Sequence, residues 1–95
     1  MTTIDTTLAS DGDPLCFDVV LRDLGGESRH RVSLARADFE RLSGGRGPEQ
    51  LIEAVFQFLL DREPREAILA RFDVSVISRY FAEFERELPA YLAQV

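Results

Sequence analysis

The sequence predicts an α+β fold, with an N-terminal β-hairpin followed by three or four α-helices packed around one core. Three patterns indicate this fold class. Alternating apolar and polar residues flank a Gly25-Gly26 pair, as in two strands joined by a tight turn. Apolar residues cover most positions of 48–61, as in a buried helix. They recur every three or four positions over 74–95, as in an amphipathic helix.

The composition and charge of the chain indicate which class of protein it belongs to. The chain has 95 residues, of which 45% are apolar, and a net charge of -6. That content suffices for one domain with its own core, and the single cysteine, Cys16, excludes an intrachain disulfide. Neither a leader pattern nor an apolar run of membrane length is present, so we expect a cytoplasmic protein without membrane contact. The acidic charge disfavours nucleic acid as a partner.

The first 13 residues are mostly small and polar, with Ile4 and Leu8 as apolar anchors. They predict a flexible N-terminal arm or a weak edge strand. Residues 14–95 are expected to form the single α+β domain.

A hairpin over residues 15–34 has a definite register if Gly25 and Gly26 form its loop. The predicted partners on the core side are then Phe17 with Leu34, Val19 with Val32 and Leu21 with His30. The opposite face collects Asp18, Val20, Arg22, Arg29, Arg31 and Ser33. Arginines on such a face either guard a free strand edge or recognise an acidic partner. Arg22, Arg29 and Arg31 are therefore candidate interaction residues.

Glycines and prolines divide the helical part of the chain. A short helix over 35–42 ends at Gly44-Gly45, and Pro48 begins the central helix. Pro64 cannot continue that helix, but it can begin a third one over 65–72.

The C-terminal helix is predicted to follow an N-cap at Asp73 and to carry one continuous apolar surface. We call this surface the C-terminal seam; its residues are Val74, Ile77, Phe81, Phe84, Leu88, Tyr91 and Val95. A seam of this length packs against the central helix of the same chain or against a second copy, and both alternatives stay open. The candidate interaction residues of the seam are Ile77, Phe81, Phe84, Leu88 and Tyr91.

No group of residues has the spacing of a catalytic, cofactor or metal site. The only histidine, His30, and Cys16 fall on opposite faces of the predicted hairpin, which separates a Cys-His pair. Zinc and calcium ligand patterns are missing. The loop over 43–47 has the glycines of a phosphate cradle but lacks its Gly-Lys-Ser/Thr, and Pro48 removes one donor. We therefore expect a non-enzymatic protein with no cofactor, no metal and no evident small-molecule ligand.

Residues 70–80 read Ala-Arg-Phe-Asp-Val-Ser-Val-Ile-Ser-Arg-Tyr. This segment resembles the turn and the start of the recognition helix in helix-turn-helix regulators, whose pattern is Ala, an aromatic residue, Gly-Val-Ser and then Val-Ser-Arg. Asp73 stands in place of the turn glycine, and the interval before Ile77-Ser78-Arg79 is two residues shorter. The resemblance implies a DNA-binding regulator that uses residues 65–82, which is kept as the alternative function.

From the hairpin to Phe81, including Ala67-Ile68-Leu69, the chain resembles small uncharacterised bacterial proteins in its overall pattern. The resemblance implies a compact bacterial cytoplasmic domain and brings no activity with it. The favoured expectation is a small protein-protein interaction or regulatory module. Its partner is another protein or a second copy of the chain, in a homodimer formed through the C-terminal helix.

Overall fold

A computed structural model describes all 95 residues and shows a four-stranded β-sheet with helices packed on one face. The strands are β1 (Thr3–Asp11), β2 (Leu15–Asp23), β3 (Gly26–Leu34) and β4 (Arg71–Asp73). The α-helices are α1 (Arg36–Leu42), α2 (Pro48–Leu60), α3 (Ile77–Tyr80) and α4 (Phe84–Leu92), and 3₁₀ turns cover Arg65–Ala67 and Val74–Val76. The predicted α+β class is confirmed.

The sheet has the order β1-β2-β3-β4, with β4 parallel to β3 and the other neighbours antiparallel. The expected hairpin is the central pair of this sheet. Near the N terminus, where an arm and an edge strand were both open, the chain pairs with β2 as the edge strand β1. The other edge is the three-residue strand β4, which the sequence patterns did not predict.

The hairpin register differs from the predicted one by two residues. The observed pairs on the core side are Leu15 with Leu34, Phe17 with Val32, Val19 with His30 and Leu21 with Ser28. The loop consists of Leu24 and Gly25, because the Asp23 carboxylate accepts a hydrogen bond of 2.7 Å from the Gly25 N–H and Asp23 pairs with Gly26. Gly26 takes the positive φ, 139°, at the first position of β3. A shift of two leaves each side chain on its predicted face.

Helix α2 lies at the centre of the core, as its apolar circumference predicts. Its buried residues are Leu51, Ile52, Ala54, Val55, Phe56, Phe58 and Leu59. On the sheet side, the ring of Phe56 lies 5.6 Å from the ring of His30. On the other side, the ring of Phe58 lies 5.0 Å from that of Phe84 in α4. Since each large apolar side chain contributes about 1.5–3 kcal/mol when fully buried, α2 holds the sheet and the C-terminal segment together.

Residues 65–72 form no α-helix, so the predicted third helix is wrong. Only the first three of them make a 3₁₀ turn, and the chain then extends into β4 beside β3. The Arg31 N–H donates to the Ala70 carbonyl oxygen (2.7 Å), and the Ser33 hydroxyl donates to the Asp73 carboxylate (2.6 Å). A strand edge needs partners for its backbone groups, and here that need overrides the local helix propensity.

The C-terminal helix is interrupted at Phe81, so the predicted continuous helix from Val74 is also wrong. A 3₁₀ turn and the four-residue α3 precede an extended Phe81 (φ -130°, ψ 92°), and α4 begins at Phe84. The rings of Phe81 and Tyr91 lie 5.9 and 5.7 Å from that of Phe58, hence within about 12 Å of each other. A straight helix separates positions ten residues apart by about 15 Å. The break therefore lets both rings reach the same partner.

The seam residues still face the core in spite of this break. Four are buried (Val74, Ile77, Phe84 and Leu88), and three are partly buried against the core (Phe81, Tyr91 and Val95). Of the two alternatives for the seam, the fold therefore uses packing within one chain.

Replacing Phe84 with Glu tests this packing. We expect Phe84→Glu to lose the cooperative thermal transition of the wild type, followed by circular dichroism. Truncating a buried phenylalanine costs about 3–5 kcal/mol, and an unpaired buried carboxylate adds to that cost. Ala90→Glu places the same charge on the exposed side of α4 and should melt near the wild-type temperature. A folded Phe84→Glu monomer derived from a wild-type dimer, measured by light scattering, would identify the seam as an interface instead.

Candidate functional site

An apolar pocket of about 410 Å³ lies beside the irregular segment that connects α2 to α4. Its lining is Leu59 and Glu63 at the end of α2, Ala67, Ile68, Leu69 and Phe72 before and in β4, and Val76, Ile77, Tyr80 and Phe81 around α3. We call this site the apolar pocket. Glu63 is its only charged lining residue. Its volume falls within the usual range of ligand pockets, about 300–1,000 Å³.

Two apolar side chains at this pocket are left in water. Leu69 is 53% exposed and Tyr80 is 72% exposed. The other large exposed apolar residues are Met1 at the N terminus and Leu24 in the hairpin loop. Single exposed apolar residues such as Leu24 are common, whereas exposed residues grouped at an apolar concavity are typical of binding sites.

The aromatic walls of the pocket are held in place by the core behind them. The ring of Phe72 lies 5.9 Å from that of Phe56, and the ring of Phe81 meets Phe58 edge-on at 5.9 Å. These contacts with α2 orient two walls without any ligand. Tyr80 has no such aromatic contact, and its ring is exposed.

His30 fixes the backbone at one side of the pocket. Its Nδ1 lies 2.7 Å from the Leu69 carbonyl oxygen, and its Nε2 lies 2.8 Å from the Ser28 hydroxyl. A carbonyl oxygen only accepts, so Nδ1 carries a proton and, in the neutral ring, Nε2 accepts from Ser28. The ring is buried against Phe56, with both nitrogens engaged. His30 therefore anchors the chain that leads into β4, while Cys16 lies on the other face of the sheet.

Arg62 ties α4 to the end of α2. Its guanidinium carbon lies 3.7 Å from the centre of the Phe58 ring. The same guanidinium donates to the carboxylates of Glu83 (3.0 Å) and Glu87 (2.5 Å). Arg62 is thus turned towards α4, and it does not pair with its neighbour Glu63.

Glu63 is the unpaired charge of the apolar pocket. Its carboxylate has no ion pair or side-chain hydrogen bond, and burial raises the pKa of Glu63 above its ordinary value. The pKa values of four other carboxyls shift the opposite way; among them, hydrogen bonds from Arg65 lower the pKa of Asp23 and those from Arg22 lower the pKa of Glu27. A carboxylate that loses water without gaining a partner is a typical feature of binding and catalytic sites.

The candidate arginines of the hairpin lie on the outer face of the sheet and are ion-paired. Arg22 pairs with Asp5 and Glu27, Arg29 pairs with Glu27, and Arg31 pairs with Asp18, at N–O distances of 2.5–3.0 Å. A second, more open concavity of about 330 Å³ brings Arg71 of β4 beside Arg29 and Arg31, but it does not include Arg22. The structure therefore divides the three predicted residues between two places.

The seam residues proposed for interaction are also divided. Ile77 and Phe81 line the apolar pocket. Phe84 and Leu88 are buried in the core. Tyr91 packs on Phe58, and its hydroxyl donates a hydrogen bond of 2.6 Å to the Asp61 carboxylate. Phe84, Leu88 and Tyr91 therefore serve the fold of the chain.

Of the ten pocket residues, sequence reasoning proposed only Ile77 and Phe81 as site residues and missed the other eight, among them Glu63, Leu69 and Tyr80. The helix predicted over 65–72 turned Leu69 inward, and no partner pattern marked Glu63. One available signal was the β-branched residues just after β4, in Val74-Ser75-Val76-Ile77, because such residues fit a regular helix less well.

Residues 65–82 do not contain the two packed helices of a helix-turn-helix. A 3₁₀ turn, an extended segment and β4 occupy the first part, and α3 has only four residues. Asp73, which replaces the glycine of that pattern, accepts a hydrogen bond of 3.0 Å from the Ser75 N–H as the N-cap of the next turn. The local structure on which the DNA-binding interpretation depends is therefore absent.

The fold and the pocket together define a small α+β protein with one open apolar site. Comparisons with protein families, curated proteins and solved structures found no match. None of the helices has the length and apolar content needed to cross a membrane. No three His, Cys, Asp or Glu side chains are grouped to hold a metal ion.

Glu63→Gln removes the unpaired carboxylate with little change of shape. Because folding raises the pKa of Glu63, ionising it destabilises the fold; the penalty is absent at low pH and complete above the folded pKa. We expect Glu63→Gln to be more stable than the wild type at pH 7, on the order of 0.5 kcal/mol, and equally stable at about pH 3, below the ordinary glutamate range. Urea unfolding at both pH values measures the difference.

Glu53→Gln is the matched control, because Glu53 is a partly buried residue of α2 without an ion pair. Glu53 does not line the apolar pocket, so Glu53→Gln measures the general effect of replacing a glutamate of α2 with glutamine at each pH. A Glu63→Gln variant less stable than the wild type at pH 7 would contradict the unpaired state of Glu63.

Proposed function

We propose that this protein is a non-enzymatic binding module that holds an apolar group of a partner protein in the apolar pocket. The observation that supports it most directly is the open pocket with Leu69 and Tyr80 left in water. A regulatory or adaptor role in the cytoplasm belongs to the same proposal. The pocket would then be the surface by which the module recognises its partner.

The pocket offers a favourable free energy to an apolar group. Fully burying a leucine or phenylalanine side chain contributes about 1.5–3 kcal/mol, and covering Leu69 and Tyr80 adds further apolar burial. Because Phe72 and Phe81 are already held by α2, binding orders little of the site. One or two apolar side chains of a partner match this volume.

The surroundings of the pocket favour a protein over a free small molecule. Protein interfaces combine an apolar, often aromatic centre with a polar rim. Arg79 is exposed, forms no ion pair and adjoins the pocket residue Tyr80 in the chain. It would supply polar contacts around the centre. A second copy of the chain is the alternative partner.

Selection of displayed peptides tests the proposal. A random peptide library is first exposed to Leu69→Asp, and the peptides that bind this variant are removed. The remaining peptides are then selected for binding to the wild type. We expect enriched peptides to share an apolar anchor and to bind the wild type at least about tenfold more tightly than Leu69→Asp, a difference of about 1.4 kcal/mol. Fluorescence anisotropy with labelled peptides measures the affinities.

Leu24→Asp is the matched control, since Leu24 is an exposed leucine in the hairpin loop that does not line the apolar pocket. It should bind the selected peptides as the wild type does. Peptides without apolar residues, or equal binding to Leu69→Asp, would contradict the proposal. A wild-type dimer that Leu69→Asp converts into a folded monomer would identify a second copy as the partner.

A further inference from the structure

The one charged residue that lines the apolar pocket, Glu63, narrows the chemistry of its partner. We propose that, beside the apolar group, the pocket receives a basic side chain of the partner protein, a lysine or arginine, with its hydrocarbon stem on the aromatic walls and its charged end at Glu63. This inference rests on the proposed function, because it names a second group of the partner that enters the same pocket.

The first argument is that Glu63 has no counter-ion within the chain. The arginines next to it in the chain pair with other partly buried carboxylates: Arg62 pairs with Glu83 at 3.0 Å, and Arg65 pairs with Asp23 at 3.0 Å. Glu63 stands between these two arginines in sequence order, yet both turn elsewhere. The fold therefore leaves one carboxylate at the pocket without a cation, although arginines are close in the chain.

The second argument is the aromatic lining. Phe72, Tyr80 and Phe81 line the same concavity as Glu63. The faces of aromatic rings attract cations, and their apolar surface covers the methylene groups of a long basic side chain. Three rings with one carboxylate thus combine both contacts that such a side chain needs. A neutral apolar group would use the rings but leave Glu63 desolvated and unpaired.

The third argument is the charge of the whole chain. The net charge of -6 attracts a basic segment and repels an acidic one, and it speeds association with a positively charged partner. A carboxylate-bearing ligand would meet Glu63 as a like charge in the pocket. A cationic group therefore complements both the Glu63 carboxylate and the negative net charge of the whole chain.

Three small probes with the same ring and nearly the same length test the charge preference: phenethylamine, phenethyl alcohol and 3-phenylpropanoate, which are cationic, neutral and anionic at pH 7. Each is titrated into the ¹⁵N-labelled protein, and amide shifts near Phe72 and Tyr80 are followed by NMR. We expect the amine to bind about fivefold more tightly than the alcohol, within the range of partly exposed cation–π and ion-pair contacts. The propanoate should bind most weakly.

Glu63→Gln and the control Glu53→Gln separate the contribution of the carboxylate. Glu63→Gln should bind the amine and the alcohol nearly equally, while Glu53→Gln should keep the wild-type preference. Equal binding of amine and alcohol by the wild type, or an amine preference that survives Glu63→Gln, overturns the inference and leaves an apolar pocket as proposed. Absence of pocket shifts with all three probes overturns the inference and speaks against the proposed function as well.

Discussion

The burial of helix α2 is the constraint on which the rest of the structure depends. Its apolar residues occupy most of its circumference, so no single layer can cover it. The sheet covers one side through contacts such as Phe56 with His30, and the C-terminal segment covers the other through Phe58. Both the outer position of the charged hairpin face and the packing of the seam within one chain follow from this arrangement. Because α2 has this much apolar surface to bury, it fixes the positions of the sheet and of the C-terminal segment.

The connection between α2 and α4 shows how polar contacts shape a segment that has no regular structure. His30 holds the Leu69 carbonyl oxygen, Arg62 stacks on Phe58 while it pairs with α4, and Arg31 supplies a backbone donor to Ala70. Each contact satisfies a group that would otherwise lose its hydrogen bonds on burial. Glu63 lies in the same connection without such a partner. An irregular segment held firmly at several points, with one charge left over, is a natural place for a binding site.

The most regular sequence pattern, the C-terminal seam, packs within the chain, whereas the candidate binding site lies in the least regular segment. The C-terminal seam has the spacing of an interface, but three of its five candidate interaction residues are used by the core or by α4 packing. The other two, the buried Ile77 and the partly exposed Phe81, line the apolar pocket. The hairpin arginines are paired with carboxylates of the same or a neighbouring strand, which leaves little uncompensated charge among them. The exposed apolar surface beside an unpaired carboxylate is the feature that packing and ion pairing within the chain leave without a partner.

The sequence by itself determined the elements whose patterns are local and strong: the α+β class, the two central strands with their inward faces, and α2 with its start at Pro48. It also identified the seam residues as packing residues. Only the tertiary structure decided the path of residues 61–83, because the groups that direct it, such as Arg31 and Phe58, lie elsewhere in the chain. Local propensity favoured a helix there, but a strand edge and one shared aromatic partner required an extended segment and a break. The pocket is built from this segment, so its residues could not be assembled from sequence spacing.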